Sequence, residues 1–143
     1  MSEYISVFMQ RKVIERAHEC CEYCLCPAEY SIDFFHFDHI LPTCLDGQTT
    51  LENLAYSCGG CNTHKSTKTH YYDPMTNLLC PLYNPRISVW SHHFQWNDDK
   101  LRLIGKTAIG RTTIELLQMN RKGVVNQRSL LKIIGLHPPP FTK

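Results

Sequence analysis

The apolar positions of this chain change their spacing several times, and each change marks a different element. Met9, Val13, Ile14 and Ala17 recur at three and four residues, the repeat that lines up one face of a helix, and Ser6 can accept a free N–H of the first turn. A helix over about residues 7–18 is predicted, running straight into the cysteine-rich string CCEYCLC. Residues 32–40 (IDFFHFDHI) are aromatic and β-branched and read as a strand that Pro42 ends. A loop with turn residues Asp46 and Gly47 follows, then a second short apolar stretch from Leu51 to Tyr56. After Cys58-Gly59-Gly60-Cys61, a short basic helix is predicted from Asn62 to His70, ending near Asp73-Pro74.

The second half reads differently. Ile87 to Trp96 and Leu101 to Lys106 flank Asn97-Asp98-Asp99, which predicts a β-hairpin. Thr112 to Asn120 and Val124 to Ile134 read as helices with Gly123 as the break between them, and the terminal LHPPPFTK reads as loosely ordered. The expected class is α+β. Residues 1–72 are expected to form a core and residues 73–143 a basic extension of hairpin and helices packed on it.

Composition narrows this. With 143 residues, 43% of them hydrophobic, and two tryptophans, one modest core is the expectation. There is no apolar run long enough to cross a bilayer, and MSEYISVFMQRK lacks a charged region followed by an apolar signal core, so a cytoplasmic protein is expected. The chain has eight cysteines, and in a reducing compartment paired thiols are metal ligands before they are disulfides. The net charge of +2 hides a division: residues 1–99 carry six Lys/Arg against twelve Asp/Glu, while residues 100–132 carry eight against Glu115 alone. That stretch is either an electrostatic footprint for a polyanion or a solvated helical face.

Cys21-x-x-Cys24 and Cys58-x-x-Cys61 are separated by 33 residues. Two residues between thiols let one tight turn aim both sulfurs at one ion, and two such turns give the tetrahedral thiolate set of a structural zinc knuckle. Cys20 and Cys26 compete for that role by position, but only Cys21 and Cys24 share the spacing of the second pair; Cys20, Cys26, Cys44 and Cys80 are read as plain thiols. The long gap implies an insertion between the two pairs.

That insertion carries His36-Phe37-Asp38-His39-Ile40-Leu41-Pro42 and then Asn53-Leu54, and Cys61 is followed by Asn62-Thr63-His64-Lys65. In this order the residues resemble the HNH endonuclease family, the His-Me finger or ββα-metal nucleases, over roughly residues 11–68. The string TxxGRxTIELLxxN, from Thr107 to Asn120, is similar to the tail of a set of small bacterial HNH proteins. The resemblance implies a ββα core that hydrolyses phosphodiester bonds of DNA. His39 would be the general base, Asp38 and Asn62 the ligands of one divalent cation, and Asn53 would hydrogen-bond across the loop and keep the His39 ring pointed at the attacking water. Carboxylate, amide oxygen and water are hard donors, so Mg²⁺ or Mn²⁺ is expected at that position beside the structural Zn²⁺. Asn62 stands where many members of the family have His, which is read as a shift in metal preference.

Lys65 and Lys68 are placed to hold phosphate, His64 faces phosphate or solvent, and His36, two residues from Asp38 on a strand, shares its face and touches substrate, cation or water. Each of these residues also has an ordinary reading: Asp38 and His39 as a polar strand end, Asn53 as a turn residue, Asn62 as a helix cap. Trp90, Trp96, Phe94 and Tyr83 either build core or stack on unpaired bases. No row of side chains reads bases in the major groove, so the sequence predicts no particular specificity; double-stranded DNA is the expected partner. Isolated cores of this kind nick one strand, and double-strand cutting would need a homodimer or successive nicks. The competing expectation is a non-catalytic zinc-knuckle module that binds nucleic acid.

Overall fold

The computed structural model describes residues 4–141. The chain divides into two compact units between Thr69 and His70. Among the described residues there are five α-helices and six short strands, paired two by two into antiparallel ladders.

In the first unit, α1 (Val7–Arg16) starts where the sequence placed it, because the Ser6 hydroxyl accepts the Met9 N–H at 3.2 Å. Val13 and Ala17 are buried with Leu54 and Tyr56, and Met9 and Ile14 pack against them. The strand predicted over 32–40 is shorter. It becomes β1 (His36–His39), paired with β2 (Leu54–Ser57) so that Asp38 faces Ala55 and His39 faces Leu54. Ile32 and Phe34 are 102% and 93% exposed. Their β-propensity has no partner to act on, since β2 ends where Cys58 turns into the next helix. Phe35 and Phe37 still stack on Tyr56, at 4.9 and 5.8 Å between ring centres.

The basic helix is α2 (Gly59–Lys65), earlier and shorter than the predicted 62–70. The Cys58 sulfur caps it by accepting the Cys61 N–H. The two glycines fall inside the first turn, where the cap and the knuckle override their weak propensity. Ser66, at φ 51°, ends it.

In the second unit a hairpin not foreseen from sequence comes first, β3 (His70–Tyr72) against β4 (Leu79–Pro81). Its turn is organised by Asp73, whose carboxylate accepts from Met75 N and Thr76 Oγ1. The expected hairpin reduces to β5 (Phe94–Trp96) against β6 (Leu103–Gly105). Trp90–His93 form a short helix, α3, ahead of it. Ile87 and Val89 are exposed, because the three-residue partner strand leaves nothing for them to pair with.

α4 (Ala108–Leu117) begins four residues before the prediction, capped by Thr107, whose Oγ1 accepts the Gly110 N–H at 3.1 Å. Gly110 is required for contact and not for φ: a Cβ there would fall 2.0 Å from the His93 carbonyl oxygen. α5 (Lys122–Ile133) contains Gly123 within its first turn, so Gly123 is not the break; Gln118 in left-handed conformation ends α4 instead.

The tail motif beginning at Thr107 is accounted for by these contacts. Arg111 makes two hydrogen bonds to the Asp73 carboxylate, at 3.0 and 2.8 Å. Thr113 Oγ1 accepts the Tyr83 N–H, and the Asn120 amide clamps both backbone groups of Leu103. Tyr83, Phe94, Trp90 and Trp96 form a chain of ring contacts at 5.1 to 5.8 Å, so they build core.

The basic stretch is also partly internal. Arg128 is 2% exposed and donates to the carbonyls of Leu101 and Met119, while its guanidinium lies over the Trp96 ring. Lys106, Arg121 and Lys132 donate to backbone carbonyls, yet Lys106 and Lys132 stay exposed, as do Lys100, Arg102 and Lys122. The ending is not loose up to Phe141, since His137 and Pro139 are buried and the His137 ring bonds to the Lys100 carbonyl; Thr142 and Lys143 lie outside the described residues.

Candidate metal centre and nuclease site

The two CxxC turns meet. The sulfurs of Cys21, Cys24, Cys58 and Cys61 all lie within 4.8 Å of one another, all four residues are buried, and none is in a disulfide. Turn geometry brings them there: Leu25, at φ 67°, donates its N–H to the Cys21 carbonyl, and the Cys21 N–H is taken by the Cys26 carbonyl. Glu22 staples this turn to β2, donating its own N–H to the Tyr56 carbonyl and accepting the Tyr56 N–H on its carboxylate.

Four thiols in so small and dry a space cannot all ionise without a cation. The thiol of Cys58 is pulled far down by hydrogen bonds, first from Cys21, while burial pushes Cys21 up and the contact with Cys21 pushes Cys61 up. The donor set is that of a closed zinc site. Cys26 lies against the same sulfurs, its thiol pushed up first by Cys21, but it does not belong to the close set of four.

Beside the knuckle, an open cleft of about 370 Å³ is lined by His36, Asp38, His39 and Asn62, together with Thr43 and Ser66. β1 supplies the first three and the first turn of α2 the fourth. His36 and Asp38 share this cleft as the two-residue period of a strand requires, although His36 is exposed and Asp38 buried.

Asp38 is not simply presented to the cleft. Tyr23 Oη donates to one of its oxygens at 3.0 Å, and Lys65 Nζ lies 3.2 and 3.4 Å from the two. Burial pushes its carboxyl up; the Lys65 charge and the Tyr23 hydrogen bond pull it back. Lys65 itself is 2% exposed and also donates to the carbonyls of His39 and Ile40. The expectation that Lys65 grips phosphate is thereby corrected. It sits four residues after Cys61, on the same helical face as a buried metal ligand, and that spacing was the available sign of its burial. Lys68 is exposed. His64 is exposed as well, with its Nδ1 2.7 Å from the Gly60 carbonyl.

Asn53 hydrogen-bonds across the loop, as expected from its place in the sequence. Its Oδ1 accepts the Leu41 N–H at 2.8 Å, its Nδ2 donates to the carbonyls of Leu41 and Gln48, and its own carbonyl accepts the Ile40 N–H. Gly47 is obligatory in this loop, because a Cβ there would fall 1.7 Å from the Leu41 oxygen. The partner of the His39 ring is Thr49, with Nε2 and Oγ1 2.9 Å apart. Neither Thr49 nor Tyr23 was identified from sequence. Nothing marks one threonine of a loop, and an aromatic between two cysteines reads as packing.

Residues 21–68 match the family model described as HNH endonuclease, a family that acts on nucleic acids with a divalent cation. No curated protein matches the chain, and no solved structure does either.

Proposed function

With an HNH domain at residues 21–68 as the premise, we propose that this chain is a metal-dependent DNA endonuclease of the one-metal HNH type. The observation that carries the reading is the shared cleft: His39, Asp38 and Asn62 all line it, beside a four-cysteine knuckle. An imidazole, a carboxylate and an amide oxygen around one hydrated space are what phosphodiester hydrolysis needs from a protein. Asp38 and Asn62 are the groups that would hold Mg²⁺ or Mn²⁺, which supplies charge stabilisation for the phosphoryl and leaving oxygens. His39 takes the proton of the attacking water, Asn53 fixes the loop that closes over β1, and His36, His64 and Lys68 face the backbone of double-stranded DNA.

Zinc in the knuckle is structural in this reading. The free thiols fit a reducing cytosol. Cutting of both strands is assigned to a homodimer or to successive nicks.

Plasmid nicking with a metal series tests the reading. Wild-type protein is expected to convert supercoiled to open-circular DNA with added Mg²⁺ or Mn²⁺, and His39→Ala is expected to lose on the order of 100-fold or more, with zinc content unchanged. Nicking by His39→Ala at the wild-type rate, or no nicking with any metal, overturns it.

One observation favours a second reading. The Asp38 carboxylate is already neutralised by Lys65, which suits a zinc-knuckle module that binds nucleic acid without cutting it. That module shows salt-dependent DNA affinity and no nicking.

A further inference from the structure

A histidine acts as a base through one ring nitrogen only when the other is held as N–H, and the group that fixes this is the partner of the second nitrogen. By sequence that duty fell to Asn53. The Asn53 amide does this only indirectly, through its bonds to backbone of the 41–53 loop at Leu41 and Gln48. The loop so clamped carries Thr49 to the His39 ring, where Oγ1 lies 2.9 Å from Nε2. The close approach of Gly47 to the Leu41 carbonyl and the hydrogen bond from Gly47 N to the Pro42 carbonyl hold the same loop from its other side.

Resting on the nuclease reading above, we propose that Thr49 is the positioning residue of the general base. Its hydroxyl oxygen accepts the Nε2 proton of His39, which leaves the Nδ1 lone pair to take a proton from the attacking water. As the water oxygen bonds to phosphorus, its proton passes to Nδ1 and the bond from phosphorus to the leaving sugar oxygen breaks; that oxygen takes a proton from solvent water, and the imidazolium keeps its Nε2 proton on Thr49. Asn53 then acts at one remove, by holding the loop that delivers Thr49. This divides a task assigned to one side chain between two.

The test compares Thr49→Val, which keeps the shape and removes the hydroxyl, with Thr49→Ser, which keeps the hydroxyl. Zinc content of each variant reports whether the first unit folds. Two readouts are taken on the full chain: long-range ¹H–¹⁵N spectra of the His39 ring, and kcat and KM for plasmid nicking.

The wild type and Thr49→Ser are expected to show the Nε2–H tautomer, with kcat within about threefold of each other. Thr49→Val is expected to lose that tautomer preference and to fall 10- to 100-fold in kcat with KM unchanged, on the scale of removing the outer partner of a functional histidine. A wild-type ring protonated at Nδ1 overturns the proposal, as does a Thr49→Val variant with unaltered ring signals and kcat. If no form nicks DNA, the nuclease reading fails by itself, and the base role assigned through Thr49 falls with it. The ring spectra then still decide whether Thr49 sets the tautomer.

Discussion

The two units answer their buried ionisable groups by different means. In the first, the interior holds four thiols that need an ion and a carboxylate that needs Lys65. In the second, charged groups are answered by fixed partners: Arg111 by Asp73, Arg128 by two backbone carbonyls. The first arrangement leaves chemistry available, because four thiols that could hold an ion and an open cleft are part of it. In the second, Arg111 and Arg128 are spent on partners within the unit, so the charge count overstates the surface, although Lys100, Arg102, Lys106, Lys122 and Lys132 stay exposed. A positive charge count describes a surface only when the side chains are not spent inside.

The largest test of this contrast is removal of zinc. Structural zinc contributes on the order of 10 kcal/mol to the folding of small knuckles, so a strong chelator or Cys58→Ser is expected to unfold the first unit. Both tryptophans lie in the second, at Trp90 and Trp96, and their fluorescence is expected to stay native while amide signals of residues 7–65 collapse. A joint loss of both signals would show that the two do not fold separately.

Next in size is Lys65→Met. It leaves the buried Asp38 carboxylate without its charge partner, which costs about 3–5 kcal/mol, read as a lower urea midpoint for the first unit. Lys68→Met, at an exposed position, is expected to stay within about 0.5 kcal/mol of wild type. Equal effects would mean that the ion pair is not the source of the cost.

The second unit answers to pH through Asp73. Hydrogen bonding by Arg111, and then by Met75 N and Thr76, holds its carboxyl well below the usual range. An acid depressed in the folded state contributes stability that is present above its unfolded pKa, about 3.9, and is lost as pH falls through that value towards the folded one. Tryptophan-monitored melts between about pH 5 and pH 2 should therefore drop steeply in the wild type. Asp73→Asn should start lower at pH 7 and change less over that window. A parallel pH slope in the variant would remove Asp73 as the cause.

The smallest expected effect is at a helix cap. Thr107 caps α4 and also bonds the His93 ring at 2.7 Å. Thr107→Ala is expected to cost about 1 kcal/mol, seen in the second unit alone, with Thr107→Ser restoring most of it.

Much of the first unit was legible in the order of residues. Ser6 and the three- and four-residue spacing of Met9, Val13, Ile14 and Ala17 define α1, because cap and face are local properties. The paired CxxC turns gave the metal set, since two thiols at that spacing have one geometry that serves both. The cleft residues Asp38, His39 and Asn62 stood out because their types and order matched a known pattern.

What the order of residues did not contain was the assignment of partners. Lys65 read as a surface cation until α2 turned it inward onto Asp38. Ile32 to Phe35 read as strand until β2 proved too short to pair with them, and Arg111 and Arg128 read as a polyanion footprint until folding placed carboxylate and carbonyl oxygens against them. Thr49 was one loop residue among many until the Asn53 clamp brought it to His39. Local spacing decides which backbone shape is favoured and which side chains share a face, and the sequence therefore determined the helices, the knuckle and the candidate chemistry. Which charge is satisfied inside and which hydroxyl meets which ring depend on groups distant in the chain, and only the tertiary structure could decide them.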